Sequence, residues 1–307
     1  MTTPSVAGDG GARRGFSAAR RLVWGAALAL SFVAGAAAQD ATRGAYLAAV
    51  AGCRGCHTTS GEGATAYAGG RELKTPFGSL YGPNITPDPV HGIGRWSEGD
   101  LRRALREGLR PDGANYFPAF PYTSFTGMSD ADIRDLWAFL RTIPPAATPS
   151  RPHALGFPYS IRLLVTGWKL LYFTQGPHPP TPGRPPLLAR GAYIVESLAH
   201  CGECHTPRNS LGALQRSQWL AGNRNFPGGG KVPNITPDPA TGIGKWSEGE
   251  LRELLGSGMT RDGDFVGGEM AEVVRDGTSK LTPDDMNAML AYLRALAPVV
   301  HDVRAAP

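Results

Sequence analysis

Cys53-Arg-Gly-Cys56-His57 and Cys201-Gly-Glu-Cys204-His205 contain every cysteine of this 307-residue chain. Cys-x-x-Cys-His is the spacing at which two thiols join the vinyl groups of a haem and the next histidine takes the proximal position on its iron. Each copy follows a helix-like stretch, and no cysteine is left over. A single zinc site built from two Cys-x-x-Cys knuckles is the competing reading. It gives no reason for a histidine after both second cysteines, and it must close a 148-residue gap.

Outward from the pentads, the chain reads as a duplication. Pro83-Asn-Ile-Thr-Pro-Asp-Pro89 recurs as Pro233-Asn-Ile-Thr-Pro-Asp-Pro239, and Gly92-Ile-Gly-Arg-Trp-Ser-Glu-Gly99 as Gly242-Ile-Gly-Lys-Trp-Ser-Glu-Gly249. Asp112-Gly113 recurs as Asp262-Gly263, at the same offset of 150 residues. Arg43-Gly-Ala-Tyr46 and Arg190-Gly-Ala-Tyr193 lead into the two pentads. Two domains of ordinary size are expected, over residues 39–143 and 188–307.

Each repeat predicts the same helical unit. A first helix covers about Ala41 to Ala51, or Leu188 to Leu198, and delivers the cysteines at its end. Ser97 with Asp100, and Ser247 with Glu250, form capping-box patterns that start a second helix. A last helix begins at Ser129 or Thr282, with Ile133, Leu136, Trp137 and Leu140, or Met286, Met289, Leu290 and Leu293, on one face. No long alternating strand pattern occurs, so the fold class is mainly α with long loops.

Residues 1–38 read as a signal peptide. Arg13, Arg14, Arg20 and Arg21 precede the apolar stretch Leu22 to Ala37, and Ala36-Ala37-Ala38 offers small residues for cleavage before Gln39. The apolar run is short for a spanning helix, which needs ~20 residues. Export implies an oxidising compartment, where haem attachment rather than pairing would consume the thiols. Without residues 1–38 the chain carries 27 basic and 25 acidic side chains, a net +2 in place of +5. The basic balance belongs mostly to the leader, and nucleic acid is not implied as a partner. Glycine (41) and proline (27) are abundant enough to make a loop-rich chain that relies on a large apolar cofactor for part of its core.

The order helix, Cys-x-x-Cys-His, long loop and terminal helix with an aromatic resembles the class I cytochrome c domain, present twice in tandem. With the Pro-Asn-Ile-Thr-Pro-Asp-Pro and Gly-Ile-Gly-x-Trp-Ser segments, residues 40–298 resemble the cytochrome c subunits of membrane-bound alcohol and gluconate dehydrogenases. Those subunits carry three haems, and this chain has two pentads. The resemblance implies two covalently bound haem c groups. In this family the first and last helices cross at a glycine and an aromatic, a role that suits Gly44 or Gly191 with Tyr46 or Tyr193.

Cys53, Cys56, Cys201 and Cys204 are the expected attachment residues, and His57 and His205 the proximal iron ligands. The resemblance implies a methionine on the far side of each iron, from the loop before the last helix. In the second repeat Met270 is favoured over Met259, while Met286 and Met289 read as core. In the first repeat the offset places Phe120 where Met270 stands, and phenylalanine does not ligate iron. Met128 is then the candidate, although the terminal helices align it with the core position Leu281. His91 is the other in-domain candidate, and a five-coordinate iron is the third reading. Tyr81, Trp96, Trp246, Arg71 and Lys231 are candidates for haem edges or propionates, the tryptophans reading rather as packing before a helix.

Residues 144–187 form a proline-rich connector with Pro144, Pro145, Pro149, Pro152, Pro158 and a run from Pro177 to Pro186. Inside it, residues 155–173 are apolar but carry Arg162 and Lys169, which argues against a spanning helix. The segment either packs across both domains and sets their spacing, or lies against lipid or a partner with Trp168, Tyr172 and the cations at headgroup level.

No Ser-His-Asp set, paired acid cluster or phosphate loop stands out, and no residue is assigned as catalytic. The leading expectation is an electron carrier: periplasmic or held at the inner membrane, accepting single electrons from a periplasmic dehydrogenase and giving them to a cytochrome or terminal oxidase of the respiratory chain. The alternative is a dihaem enzyme, a peroxidase or sulfur-compound oxidase, with an open site at the first haem. A sensor module is a third class, for which no extra domain speaks.

Overall fold

Asp40 starts the first helix by accepting hydrogen bonds from the N–H groups of Thr42 and Arg43. The computed structural model describes residues 39–177 and 181–304, so the signal peptide expected on residues 1–38 lies outside the described residues. In chain order the first repeat holds α1 (Ala41–Val50), α2 (Cys53–His57), β1 (Glu72–Thr75), β2 (Gly78–Tyr81), α3 (Glu98–Glu107), α4 (Tyr122–Phe125) and α5 (Asp130–Leu140). The connector adds β3 (Ala154–Leu155) and α6 (Leu164–Tyr172). The second repeat holds α7 (Pro186–Ala192), α8 (Gly202–His205), α9 (Glu248–Ser257), α10 (Gly268–Asp276) and α11 (Pro283–Ala295). The small antiparallel sheet runs β1-β2-β3, with Leu73 opposite Leu80 and Gly78 opposite Leu155. Both repeats fall within one compact unit.

The capping boxes form as the sequence implies, Ser97 with Asp100 at α3 and Ser247 with Glu250 at α9. Ser129 and Thr282 cap α5 and α11 by accepting from the N–H groups of Asp132 and Asp285. The first and last helical segments of each repeat build the core: Leu47, Ile133, Leu136 and Leu140 in one repeat, and Ile194, Leu198, Met286, Met289 and Leu290 in the other.

In each repeat the first and last helices cross in contact at a glycine. A Cβ on Gly44 would lie 2.0 Å from the Asp135 carbonyl oxygen and 2.7 Å from Cβ of Phe139; one on Gly191 would lie 2.0 Å from the Ala288 carbonyl oxygen and 2.5 Å from Cβ of Tyr292. Phe139 and Tyr292 are therefore the aromatics of the crossings. Tyr46 and Tyr193, expected in that role, instead reach the opposite repeat. The Tyr46 hydroxyl donates to Asp285, which Arg190 also holds; the Tyr193 hydroxyl donates to Asp132, which Arg43 also holds. These two reciprocal contacts clasp the domains about a pseudo-twofold axis. Burial alone would raise the Asp285 carboxyl, but Arg190 and Tyr46 hold it below its usual range.

The repeats slip by one residue. Tyr193 follows Tyr46 by 147 positions, whereas Cys201 follows Cys53 by 148. The extra residue is taken up where the second repeat turns π-helical, Tyr193–Leu198, directly before its pentad. One inserted residue widening a single turn is the usual origin of such a segment.

The connector packs across both repeats, and its cations turn inward, contrary to the headgroup placement. Lys169 Nζ donates to the carbonyls of Glu107 and Gly108 (2.6 and 3.0 Å) at the end of α3 and to Asn115 Oδ1 (2.6 Å). Arg162 donates to the Asn115 carbonyl and lies 4.5 Å from the centroid of the Phe117 ring. Trp168 Nε1 donates to the Leu211 carbonyl (2.9 Å) in the second repeat. Among the described residues no helix is long and apolar enough to cross a membrane.

Gly44→Ala and Gly191→Ala should each destabilise the protein by about 1–3 kcal/mol, the cost of forcing a methyl into a packed contact. Denaturant unfolding of the haem-loaded protein checks this, with the helical glycine Gly256, which has open space around it, as the control position.

Candidate functional site

Each pentad sits on a short helical turn at the end of the first helix of its repeat, α2 after Gly52 and α8 after Cys201. The turn brings the pentad histidine against the Pro-Asn-Ile-Thr-Pro loop. His57 Nδ1 lies 2.7 Å from the Pro83 carbonyl, and His205 Nδ1 lies 2.8 Å from the Pro233 carbonyl. A carbonyl only accepts, so Nδ1 carries the proton and Nε2 is left with a lone pair. Burial also depresses the pKa of both rings, against the raising effect of the proline carbonyl, which favours neutral imidazole. A neutral ring fixed by its other nitrogen is the arrangement an iron ligand takes.

The Asn of that loop explains the rest of the motif. Asn84 Oδ1 accepts from the N–H and hydroxyl of Thr86, while Nδ2 donates to the carbonyls of Ala146 and Thr148 beyond α5. Asn234 repeats this with Thr236 and the Val299 carbonyl beyond α11. The loop that holds the histidine is thereby tied to the exit of the terminal helix. Asp88 and Asp238 are turn formers, accepting from the N–H groups of Val90 and His91, and of Ala240 and Thr241.

Burial disfavours the thiolate form of all four cysteines before haem is attached. Burial pushes Cys53 and Cys201 up to about 12; burial and then Glu203 do the same for Cys204; burial raises Cys56 as well. Among the described residues no three His, Cys, Asp or Glu side chains converge on a metal position. Cys56 and Cys204, the second cysteines of the two pentads, line one cavity of about 990 Å³. That lies at the upper end of the ~300–1,000 Å³ usual for a ligand pocket. The donor set and the apolar wall, with Leu80, Phe117, Leu164 and Trp168, fit a large covalent macrocycle.

On the methionines, Met270 lies in α10, half-buried against the core cluster, whereas Met259 is exposed. Met128 is fully buried; its N–H donates to Phe125 and its carbonyl accepts from Arg106, which pins it just before the Ser129 cap. Phe120 packs among Tyr116, Tyr122 and Phe125, with ring centroids 5.2 to 6.4 Å apart. His91 is a half-buried loop residue bonded to Asp88 through its backbone. Trp96 and Trp246 pack on the core cluster. Tyr81 donates to Glu72 and stacks under Arg151, Arg71 bridges Ser60 and Glu272, and Lys231 donates to the Arg304 carbonyl.

Several residues at the site were not singled out from sequence. Glu203 is buried, paired with Arg208 at 2.5 Å, and accepts from the hydroxyls of Thr123 and Ser124 at 2.9 Å each. Burial would lift its carboxyl, but Arg208 and the Thr123 hydroxyl hold it low. His200 stands beside the first pentad rather than its own domain's core. A comparison of each pentad's flanks would have flagged it, because Gly52 is its counterpart.

Two tandem helical domains, each setting a Cys-x-x-Cys turn beside a fixed, neutral histidine, define a protein class: dihaem c-type. Residues 41–144 and 188–297 both match the family model described as cytochrome c. The chain is 47% identical to a protein of Cereibacter sphaeroides described as "Diheme cytochrome c-type", over 83% of this chain and 85% of that one. It is similar to the cytochrome c subunit of alcohol dehydrogenase (quinone) of Gluconacetobacter polyoxogenes, at 39% identity over 84% of this chain and 56% of the relative. It is also similar to the fructose dehydrogenase cytochrome subunit of Gluconobacter japonicus, at 40% over 83% of this chain and 52% of the relative. The chain thus spans about half the length of those two dehydrogenase subunits. It belongs to the cytochrome c family and carries two covalently bound haem c groups.

Proposed function

We propose that this chain is a periplasmic electron carrier that takes single electrons from a dehydrogenase and passes them to a cytochrome or terminal oxidase of the respiratory chain. The observation that carries the reading is the pair of neutral histidines, His57 and His205, each held through Nδ1 by a proline carbonyl with Nε2 left for iron. When bound, haem c supplies reversible one-electron exchange at its iron. Cys53, Cys56, Cys201 and Cys204 would anchor the groups, His57 and His205 would be the proximal iron ligands, and Met270 and Met128 would be the further ligands. The dehydrogenase donor rests on the named relatives, and the compartment on the leader-like residues 1–38.

One observation favours the competing reading of an enzyme open at the first haem: Phe120 occupies the register of Met270 and is held by three aromatic neighbours.

A peripheral contact with the inner membrane through residues 155–173 belongs to the same proposal. With the Arg162 and Lys169 head groups turned inward, Phe157 (84% exposed), Leu163 (77%) and Leu170 (84%) form the exposed apolar part of the segment.

Potentiometric titration should show both haems reduced and reoxidised reversibly. Met270→Ala should lower the potential of the second haem and leave the first unchanged; an unmoved potential removes Met270 as the ligand. Leu163→Asp with Leu170→Asp should abolish cosedimentation with phospholipid vesicles, and equal recovery of both proteins would remove the membrane contact.

A further inference from the structure

Among the described residues, three non-glycine positions have left-handed backbones: Tyr67 (φ 62°), Leu220 (φ 59°) and His200 (φ 40°). Tyr67 and Leu220 are counterparts, each two residues before a glycine at the same turn of its repeat. His200 has no such partner. Its counterpart is Gly52 (φ 64°), the residue such a backbone favours. A bulky side chain persists there only when its surroundings over-determine it, and such outliers gather at functional positions.

The surroundings of His200 are the other repeat. Its Nε2 lies 3.2 Å from the carbonyl of Ala51, two residues before Cys53. The ring stands edge-on to Phe125, with centroids 5.3 Å apart at 83°. A Cβ on Gly52 would find His200 Nε2 as its neighbour, at 4.0 Å. His200, Gly52, Cys56 and Cys204 share the wall of one cavity. The π-helical turn Tyr193–Leu198, which takes up the one-residue slip, ends two residues before His200 and is likewise confined to the second repeat. The slip, the π turn and the strained histidine all converge on the point where the two attachment turns meet.

We propose that His200 is a positioning residue that holds the two haem-attachment turns at a fixed separation and so sets the electrostatic coupling between the two haems. Burial keeps the imidazole neutral, which lets Nε2–H donate to the Ala51 carbonyl without placing a charge between the turns. The tyrosine–aspartate clasp and α6 hold the domains together independently, so loss of the ring loosens the turns without separating the repeats.

The inference rests on the electron-carrier reading, and its test separates the two. His200→Gly, which installs the counterpart residue and removes the ring, is compared with the unaltered holoprotein. Pulsed EPR gives the iron–iron distance distribution of the fully oxidised form, and potentiometry gives the separation between the two reduction steps. The distribution is expected to broaden and the separation to change. Phe125→Leu keeps His200 but removes the ring against which it packs, and should move both readouts in the same direction; it decides the matter where His200→Gly does not load haem. An unchanged distribution and separation, even with a lower Tm, overturn the role of His200 alone. Irreversible reduction of the unaltered protein overturns the carrier reading, and this inference with it.

Discussion

The hydrogen bond from each pentad histidine to a proline carbonyl, His57 to Pro83 and His205 to Pro233, organises everything around it. It joins the end of the first helix to a loop some 26 residues further on. That loop is in turn tied by Asn84 or Asn234 to the chain leaving the last helix. The first and last helices close the circuit by crossing at Gly44 or Gly191, where no side chain fits. Proton placement follows from the same bond: Nδ1 donates, Nε2 keeps its lone pair, and burial favours the neutral ring. A domain with few strands and many glycines and prolines can hold a rigid site because these three ties bracket it.

Duplication then supplies the second site, and the departures from symmetry give the pair its character. The reciprocal Tyr46–Asp285 and Tyr193–Asp132 contacts preserve the symmetry and bind the repeats face to face. The connector breaks it, with two cations anchored on the first repeat and the Trp168 indole on the second. So does the methionine loop, where α10 is a full helix while α4 is a single turn crowded by aromatic rings. The two irons are therefore expected to have different environments, which is useful in a carrier that must pass electrons in one direction.

Most of the fold was legible in the sequence because its determinants are local. The pentads, capping boxes and apolar faces of the terminal helices depend on residues three to seven positions apart, and all formed. The repeated Pro-Asn-Ile-Thr-Pro segment was legible as a motif, but its work was not, since the two carbonyls to which Asn84 Nδ2 donates lie more than 60 residues away. Tyr46 and Tyr193 were assigned to the wrong crossing for the same reason: periodicity places a side chain on a face and does not say which domain covers it. Arg162 and Lys169 could be read as headgroup cations as well as packing residues because sequence shows charge but not the helix-end carbonyls of Glu107 and Gly108 that receive Lys169. His200 was missed because a single unequal position between repeats looks like drift until its backbone angle is known.

The central claim is that both irons are held on both sides, so that the protein exchanges electrons and binds nothing. The spectrum of the dithionite-reduced protein before and after carbon monoxide tests it most directly. The account predicts that neither haem shifts, with Met128 serving the first iron and Met270 the second. Ready binding at one haem would contradict it, marking an iron with an open face and moving catalysis at the first domain to the front.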